Sequence, residues 1–370
     1  GRRRLPAQGR HCPERHAHLV TSTLTPRRVR KWSPWQPLAH SRQGKPAVVV
    51  AAGLALIAVT SLTSVLVGVQ SLAPGEVLDA LRGMPVGQET AAIVASRVDR
   101  TVIGLVVGAA IALSGVVLQG LTRNPIAEPG ILGLNAGAAL AVVIGIRFLG
   151  LSSVTGYVVA ALVGTIAVAV LVQSLTLMAP RASAPVSMAL AGAAVMALAQ
   201  SLIGAVVVTD RGALDSFRFW QVGSVAGRDA TQVLDIAPFL LVGVVLALTS
   251  GPTLDAVALG DELARGLGQN VMLHRGLAAA GAVLLAACAT ALAGPIAFVG
   301  LVVPHLVRAV VGVDHRRVLL VSLLLGPVFV VLADVVGRLI AQPGEVQAGI
   351  VCAVLGAPVL VAVVRRVKGL

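Results

Sequence analysis

Residues 101–121 read Thr-Val-Ile-Gly-Leu-Val-Val-Gly-Ala-Ala-Ile-Ala-Leu-Ser-Gly-Val-Val-Leu-Gln-Gly-Leu, without one charged side chain. As a helix at ~1.5 Å per residue, this run rises about 30 Å, the thickness of a bilayer's hydrocarbon core. Its glycines and alanines suit helices packed in lipid, where close backbone approach replaces the hydrophobic drive. The same kind of run recurs along the chain. The spans read from the sequence are 47–69, 101–121, 130–150, 152–178, 186–208, 233–250, 276–293, 295–312, 318–337 and 347–364. The short gaps at Gly150-Leu151 and Gly294-Pro295 predict tight turns between antiparallel helices.

The composition agrees. An ordinary soluble domain is about one-quarter charged; here Asp, Glu, Lys and Arg make up 12% and apolar residues 56%. Mean hydropathy is +0.91. So few charges cannot build a water-facing surface, so the expected fold is an all-α polytopic membrane protein of about ten transmembrane helices. The net charge of +13 is no nucleic-acid signal, because 11 of the 29 Lys and Arg residues lie in the first 46 positions. Residues 1–46 lack apolar periodicity and read as a basic, disordered cytoplasmic tail, with a membrane domain over 47–366. Ten crossings put both termini on one side. The basic tail and Arg365, Arg366 and Lys368 place that side in the cytoplasm. The arginines of the intervening loops fall almost equally on both sides and do not decide orientation.

Three groups of polar residues stand out. Arg97 and Arg100 are three apart on one helical face just before the second span, and Arg338 closes the ninth on the same outer side. They either snorkel and pair with Asp99 and Glu345, or form a docking surface for an acidic partner, since the guanidinium fork grips carboxylates. Residues 252–275 form the longest polar stretch assigned to the inside, and 252–270 is its helical part. Leu254, Val257, Ala258, Leu263 and Leu267 recur at helical spacing, and Gly260 divides the segment. That predicts two short amphipathic helices outside the bilayer, either an interfacial connector or a knob fitting a cytoplasmic motor. The third group interrupts spans: Arg123-Asn124-Pro125-Ile126-Ala127-Glu128-Pro129, and Gly294-Pro295 running through Pro304-His305. Proline and glycine there break helices and suit a pathway wall or gate, making Asn124, Pro125, Pro295 and Pro304 candidates. His305 and Asp334 join them as polar groups in apolar runs, although a satisfied helix–helix hydrogen bond is the commoner role. Ala-Leu-Ser-Gly at 112–115 and Ala-Leu-Ala-Gly at 291–294 each precede a proline by ten residues, a faint inverted repeat.

No chemistry motif is visible. The sequence has no Walker loop, no Ser-His-Asp set and no paired carboxylates, so no catalytic residues are assigned. Cys12, Cys288 and Cys352 match no metal or redox spacing, and the histidines of the tail belong to a disordered segment rather than a metal site. An ion-driven secondary transporter would need intramembrane carboxylates. Asp334 and Asp235 are the only two in the proposed spans, and the 252–270 segment would have no purpose there.

Together these segments resemble the FecCD-type permeases, which carry iron-siderophores, haem and vitamin B12 in ABC importers. The resemblance runs from about residue 50 to 366. It rests on Gly108-Ala109-Ala110 through Ser114-Gly115 and Gln119, then 123–129 with Leu132-Gly133, and Phe219-Trp220-Gln221-Val222-Gly223-Ser224. Further marks are Ala258-Leu259-Gly260, Ala264-Arg265 and Leu267-Gly268, then Gly294 to His305 with Arg308. Asp314-His315-Arg316, Ala333-Asp334 with Arg338, and Pro343 to Gly349 complete the series.

The resemblance implies a type II ABC importer permease in the bacterial plasma (inner) membrane. A second permease, the same chain or a paralogue, completes the pathway. Two cytoplasmic ATPases use the ATP, so this chain binds no cofactor, and an extracytoplasmic binding protein delivers cargo. It also implies that Arg97, Arg100 and Arg338 meet acidic residues of that protein. Leu259, Gly260, Ala264, Arg265, Leu267 and Gly268 would belong to the helices that couple to the ATPases. Two departures are visible. Val98-Asp99 stands where the family usually has Leu-Pro, which lets Asp99 pair with Arg100. Gly344-Glu345-Val346-Gln347 stands where Glu-Leu-Pro is common. Iron-siderophore uptake is the expected function; haem and cobalamin share the scaffold.

Overall fold

The structure, a computed structural model, describes Gly1 and residues 46–178, 184–209, 214, 217–218, 220–260 and 271–368. The chain parts into two units, Gly1–Gln36 and Pro37–Leu370; everything below concerns the second. The expected disorder of the tail falls outside the described residues.

Twelve helices make up the described residues: α1 (Pro46–Leu66), α2 (Pro74–Leu81), α3 (Gln88–Thr122), α4 (Leu134–Leu149), α5 (Val154–Leu177), α6 (Ala184–Thr209), α7 (Gln232–Thr249), α8 (Gly251–Leu259), α9 (Val271–Ala293), α10 (Val299–Val311), α11 (His315–Ile340) and α12 (Ala348–Lys368). Each of the ten apolar stretches appears as one of them. Seven are long and apolar enough to cross a membrane, while the apolar parts of α4, α10 and α12 are shorter.

Local chemistry fixes the ends. Pro74 opens α2 where a missing N–H costs nothing, and Glu76 reaches back to accept from the Ala73 N–H. Ser153 Oγ accepts from Gly156 N at the start of α5, and Asp314 accepts from Arg316 N and Arg317 N at the start of α11. Gly150 and Gly294, the two expected tight turns, both take positive φ, 64° and 73°.

The bundle is built around α3, a 35-residue helix buried along most of its length. It packs on α9, α10 and α11, while α1, α6 and α7 expose apolar faces such as Leu54, Leu198 and Leu241. An apolar exterior is what a lipid solvent calls for. The crossings at the centre are made backbone to backbone. A Cβ on Gly108 would overlap the backbone of Gly326 on α11, and one on Gly115 would overlap Gly300 on α10.

Some boundaries differ from the sequence reading. Helix α3 starts at Gln88, so Arg97 and Arg100 lie within it rather than ahead of it. The span read as 295–312 is helical only from Val299, and α10 has 13 residues, about 20 Å, too few to cross alone. Gly294–Ala297 is non-helical, and Phe298 holds φ 69° as the N-cap. This backbone is tolerated because protein surrounds it: Ser224 N donates to Ala293 O, and Gly223 packs against the Pro295 carbonyl. The two repeat motifs also part company, 112–115 lying mid-helix in α3 while Gly294 ends α9; Pro125 sits in a loop and Pro304 inside α10.

Candidate functional site

Helix α3 carries two polar clusters, one within its first half and one at its C-terminal end. At the first, Arg97, Arg100 and Arg338 come together as the sequence suggested, but they are buried, at 4%, 9% and 1% exposure. Their donors are turned inward. Arg97 Nη1 donates to Val65 O (3.0 Å) and Leu66 O (3.1 Å), and Nη2 to Gln70 O. Arg338 Nη1 donates to Ser64 O (2.8 Å) and Val67 O (2.7 Å), and Nη2 to Ser64 Oγ (2.7 Å). Apart from Gln70 O, which lies just past the helix, these are carbonyls at the end of α1 that the helix cannot satisfy itself, at its negative pole. Two guanidinium groups thus close the C-terminus of α1. Gly68 makes room for one of them, since a Cβ there would lie 2.7 Å from Arg97 Cζ.

Arg100 completes the cluster with carboxylates. Its Nη1 holds both oxygens of Glu345 (3.0 and 2.8 Å), and its Nη2 holds Asp334 Oδ1 (2.8 Å). Asp334 Oδ2 faces Arg338 Nη2 at 2.9 Å. Asp334 is therefore the buried counter-ion of two arginines, a satisfied polar group of the kind the sequence reading allowed. Asp99 pairs differently from expectation: its carboxylate accepts from Ala230 N at 3.3 Å. Sequence reasoning missed Ser64, which also shares a hydrogen bond with Thr101 Oγ1 (2.8 Å). A lone serine in an apolar helix carries no signal for that role.

The second cluster joins α3 to α8, α10 and α11. Gln119, fully buried, donates through Nε2 to Gly300 O (2.9 Å) and accepts from Arg308 Nη1. Arg123 Nε donates to Val257 O (2.7 Å). His315 donates its backbone N–H to Asp255 Oδ1 (3.2 Å), and its Nδ1 lies 2.6 Å from the same oxygen. Helix α8, the first half of 252–270, thus lies on the bundle with Leu254 and Val257 fully buried and Leu259 largely exposed. Ala258, expected on the buried face, is exposed. Gly260, the expected divider, caps α8 at φ 114°. Ala264, Arg265, Leu267 and Gly268 lie outside the described residues.

The interrupting motifs occupy the space between the clusters. Asn124 Oδ1 accepts from Ile126 N and shapes the turn that carries Pro125. His305 Nδ1 lies 2.7 Å from Leu301 O, one turn back, and Pro304 is buried inside α10. Glu128, in the loop from α3 to α4, went unremarked as a site in the sequence. It is 4% exposed and takes a hydrogen bond from the Phe298 backbone at the start of α10, while its Oε1 has no partner among the described residues. Burial pushes its carboxyl up to about 7. A carboxyl before the N-terminus of α10 supplies the cap that the Phe298 side chain cannot.

Helices with apolar outer faces, a buried central helix and broken backbone enclosed by protein define a polytopic helical membrane protein. Residues 56–366 match the FecCD transport family, and the chain belongs to that family. It is 36% identical to the ferric enterobactin transport system permease protein FepD of Escherichia coli (strain K12), over 86% of this chain and 96% of FepD. It is 33% identical to the iron-uptake system permease protein FeuB of Bacillus subtilis (strain 168), over 89% and 98%. Among solved structures it resembles the inward-facing conformation of a metal-chelate type ABC transporter, with TM-score 0.74 and 26% identity, over 86% of this chain and 99% of that one. The chain is the permease subunit of an ABC importer. ATPase and binding-protein partners follow from that membership.

Proposed function

We propose that this permease imports ferric siderophore complexes across the bacterial plasma membrane. The observation that carries the cargo is the set of relatives whose names specify ferric enterobactin, ferric citrate or iron hydroxamate complexes. Two permeases, identical or paralogous, enclose the pathway. Both termini lie in the cytoplasm, and the chain binds no cofactor, ATP being used on two ATPase subunits. Residues 252–270, with Leu259 and Gly260 at the exposed end of α8 and Ala264, Arg265, Leu267 and Gly268 beyond it, fit those subunits. Asn124, Pro125, Pro295, Pro304 and His305 line or shape the moving part of the pathway. The Arg97, Arg100 and Arg338 cluster forms the outer station, where the binding protein docks. ATP binding stabilises one access state over the other.

Uptake of isotope-labelled ferric siderophore, haem and cobalamin in a strain lacking this chain tests the reading. Restoration of ferric siderophore uptake alone is expected when the gene is returned. Restoration of haem or cobalamin uptake instead reassigns the cargo. Uptake in vesicles that persists without ATP and collapses with an ionophore removes the ATP-driven mechanism.

A further inference from the structure

The cluster in the first half of α3 has three guanidinium groups and two carboxylates, and only one of the five groups reaches solvent to any extent. The Asp334, Arg100 and Arg338 side chains are 4%, 10% and 2% exposed, whereas Glu345 is 37% exposed. Arg97 is equally enclosed, at 4%. Glu345 comes from a different kind of structure than its partners. It sits on the non-helical link 341–347 between α11 and α12, whereas Arg100 and Asp334 sit on helices. Both of its oxygens rest on Arg100 Nη1. Arg100 Nε is buried without a partner among the described residues, so Glu345 leaves this donor unused.

We propose that Glu345 is a placeholder: it occupies the Arg100 guanidinium until a carboxylate of the docking binding protein takes its place. The exchange swaps one carboxylate for another on the same cation, so the charge inside the cluster stays balanced throughout. Asp334, held by two arginines and shut from water, does not exchange. What changes is the link. Released from Arg100, the first part of the link, 341–345, loses its side-chain hold on α3, while its far end stays tied by Val346 N to Gly337 O (3.0 Å) and, just beyond it, Gly349 N to Gly223 O (3.0 Å). Arrival of the partner is thereby reported to α11 and α12 through the freed segment. This account rests on the docking role of the arginine cluster, and the experiment separates the two.

Docking of the binding protein to the permease–ATPase complex in nanodiscs is measured against salt for wild type, Glu345→Gln, Glu345→Ala and Arg100→Glu. Removing the placeholder charge leaves three guanidinium groups facing one carboxylate. Glu345→Gln and Glu345→Ala should then dock on the order of 5-fold more tightly at low salt, with a steeper salt dependence. Unchanged or weaker docking in both, alongside lost docking in Arg100→Glu, overturns the placeholder and keeps the docking role. Unchanged docking in Arg100→Glu, in a complex that still assembles with its ATPases, overturns both. A second readout leaves the cluster intact: a spin label on Gly344→Cys, in a chain with Cys12→Ser, should gain mobility when the binding protein is added. A label that stays equally immobile on docking sinks the exchange.

Discussion

Arg338 shows what a single side chain does here. Its guanidinium group serves two helices at once, pairing with the Asp334 carboxylate on its own helix and donating to the end of α1. Replacing it with Leu strands Asp334 against Arg100 alone and leaves Ser64 O and Val67 O without their donor. Loss of one partner from a buried ion pair costs about 3–5 kcal/mol, so Arg338→Leu should melt well below wild type in detergent. Arg338→Lys should recover only part of this, because one ammonium cannot reach both acceptors with a fork. Equal melting temperatures for wild type and Arg338→Leu would remove the structural role. The spacing of Arg97 and Arg100 was legible in the sequence because a helix puts such positions on one face. Their burial was not, because it depends on the end of α1 arriving beside them from a separate part of the chain. The alternatives at Asp99 show the same limit: local reading offered Arg100 as its partner, and the fold brought Ala230 N instead.

At the scale of elements, hydropathy located all ten apolar helices, since lipid imposes a composition on every crossing. It failed at α10. Pro295-Ile296-Ala297-Phe298 is as apolar as the helix that follows, so nothing in its composition marks it as non-helical; the distinguishing fact is the left-handed Phe298 and the Glu128 carboxyl that meets it. Glu128 gives this junction a pH signature. Its folded pKa, about 7, lies above the ordinary 4.5, so the folded chain holds the proton more tightly than the unfolded one. The favourable contribution is complete below about 4.5 and is lost as pH rises through about 7. Glu128→Gln removes this dependence. Melting temperatures between pH 5 and 8 should fall more steeply for wild type than for Glu128→Gln. Parallel curves would show that the carboxyl ionises without cost.

For the whole molecule, the second cluster matters because it joins α8, the segment proposed to meet the ATPases, to three other helices of the bundle. Helix α8 is tied to α3 by Arg123 and to α11 by the Asp255–His315 pair, and Gln119 and Arg308 tie α3 to α10. A displacement of α8 therefore reaches three other helices without crossing a loop. Cutting one tie should weaken transmission more than assembly. Asp255→Ala is expected to lower uptake roughly 3- to 10-fold while ATP hydrolysis by the purified complex stays within about twofold, given coupling terms of ~0.5–2 kcal/mol. A parallel fall in both activities would instead mean that α8 is needed only to hold the subunits together. The sequence pointed to 252–270 by its polarity, but not to Gln119 or Arg308 as its continuation. Those two are separated from it and from each other along the chain, and only the packing of α10 against α3 makes them neighbours.

The glycine crossings of α3 with α10 and α11 have a mechanical meaning. Where side chains interlock, turning one helix against another demands that rotamers flip in concert, as teeth must lift from teeth. At Gly108 with Gly326, and at Gly115 with Gly300, backbone lies on backbone and there are no teeth. Such a joint is intolerant of added thickness: even one methyl group at Gly108 or Gly115 would prise α3 from its neighbours, so its waist is gauged by bare backbone while its polar clusters fix it along its length.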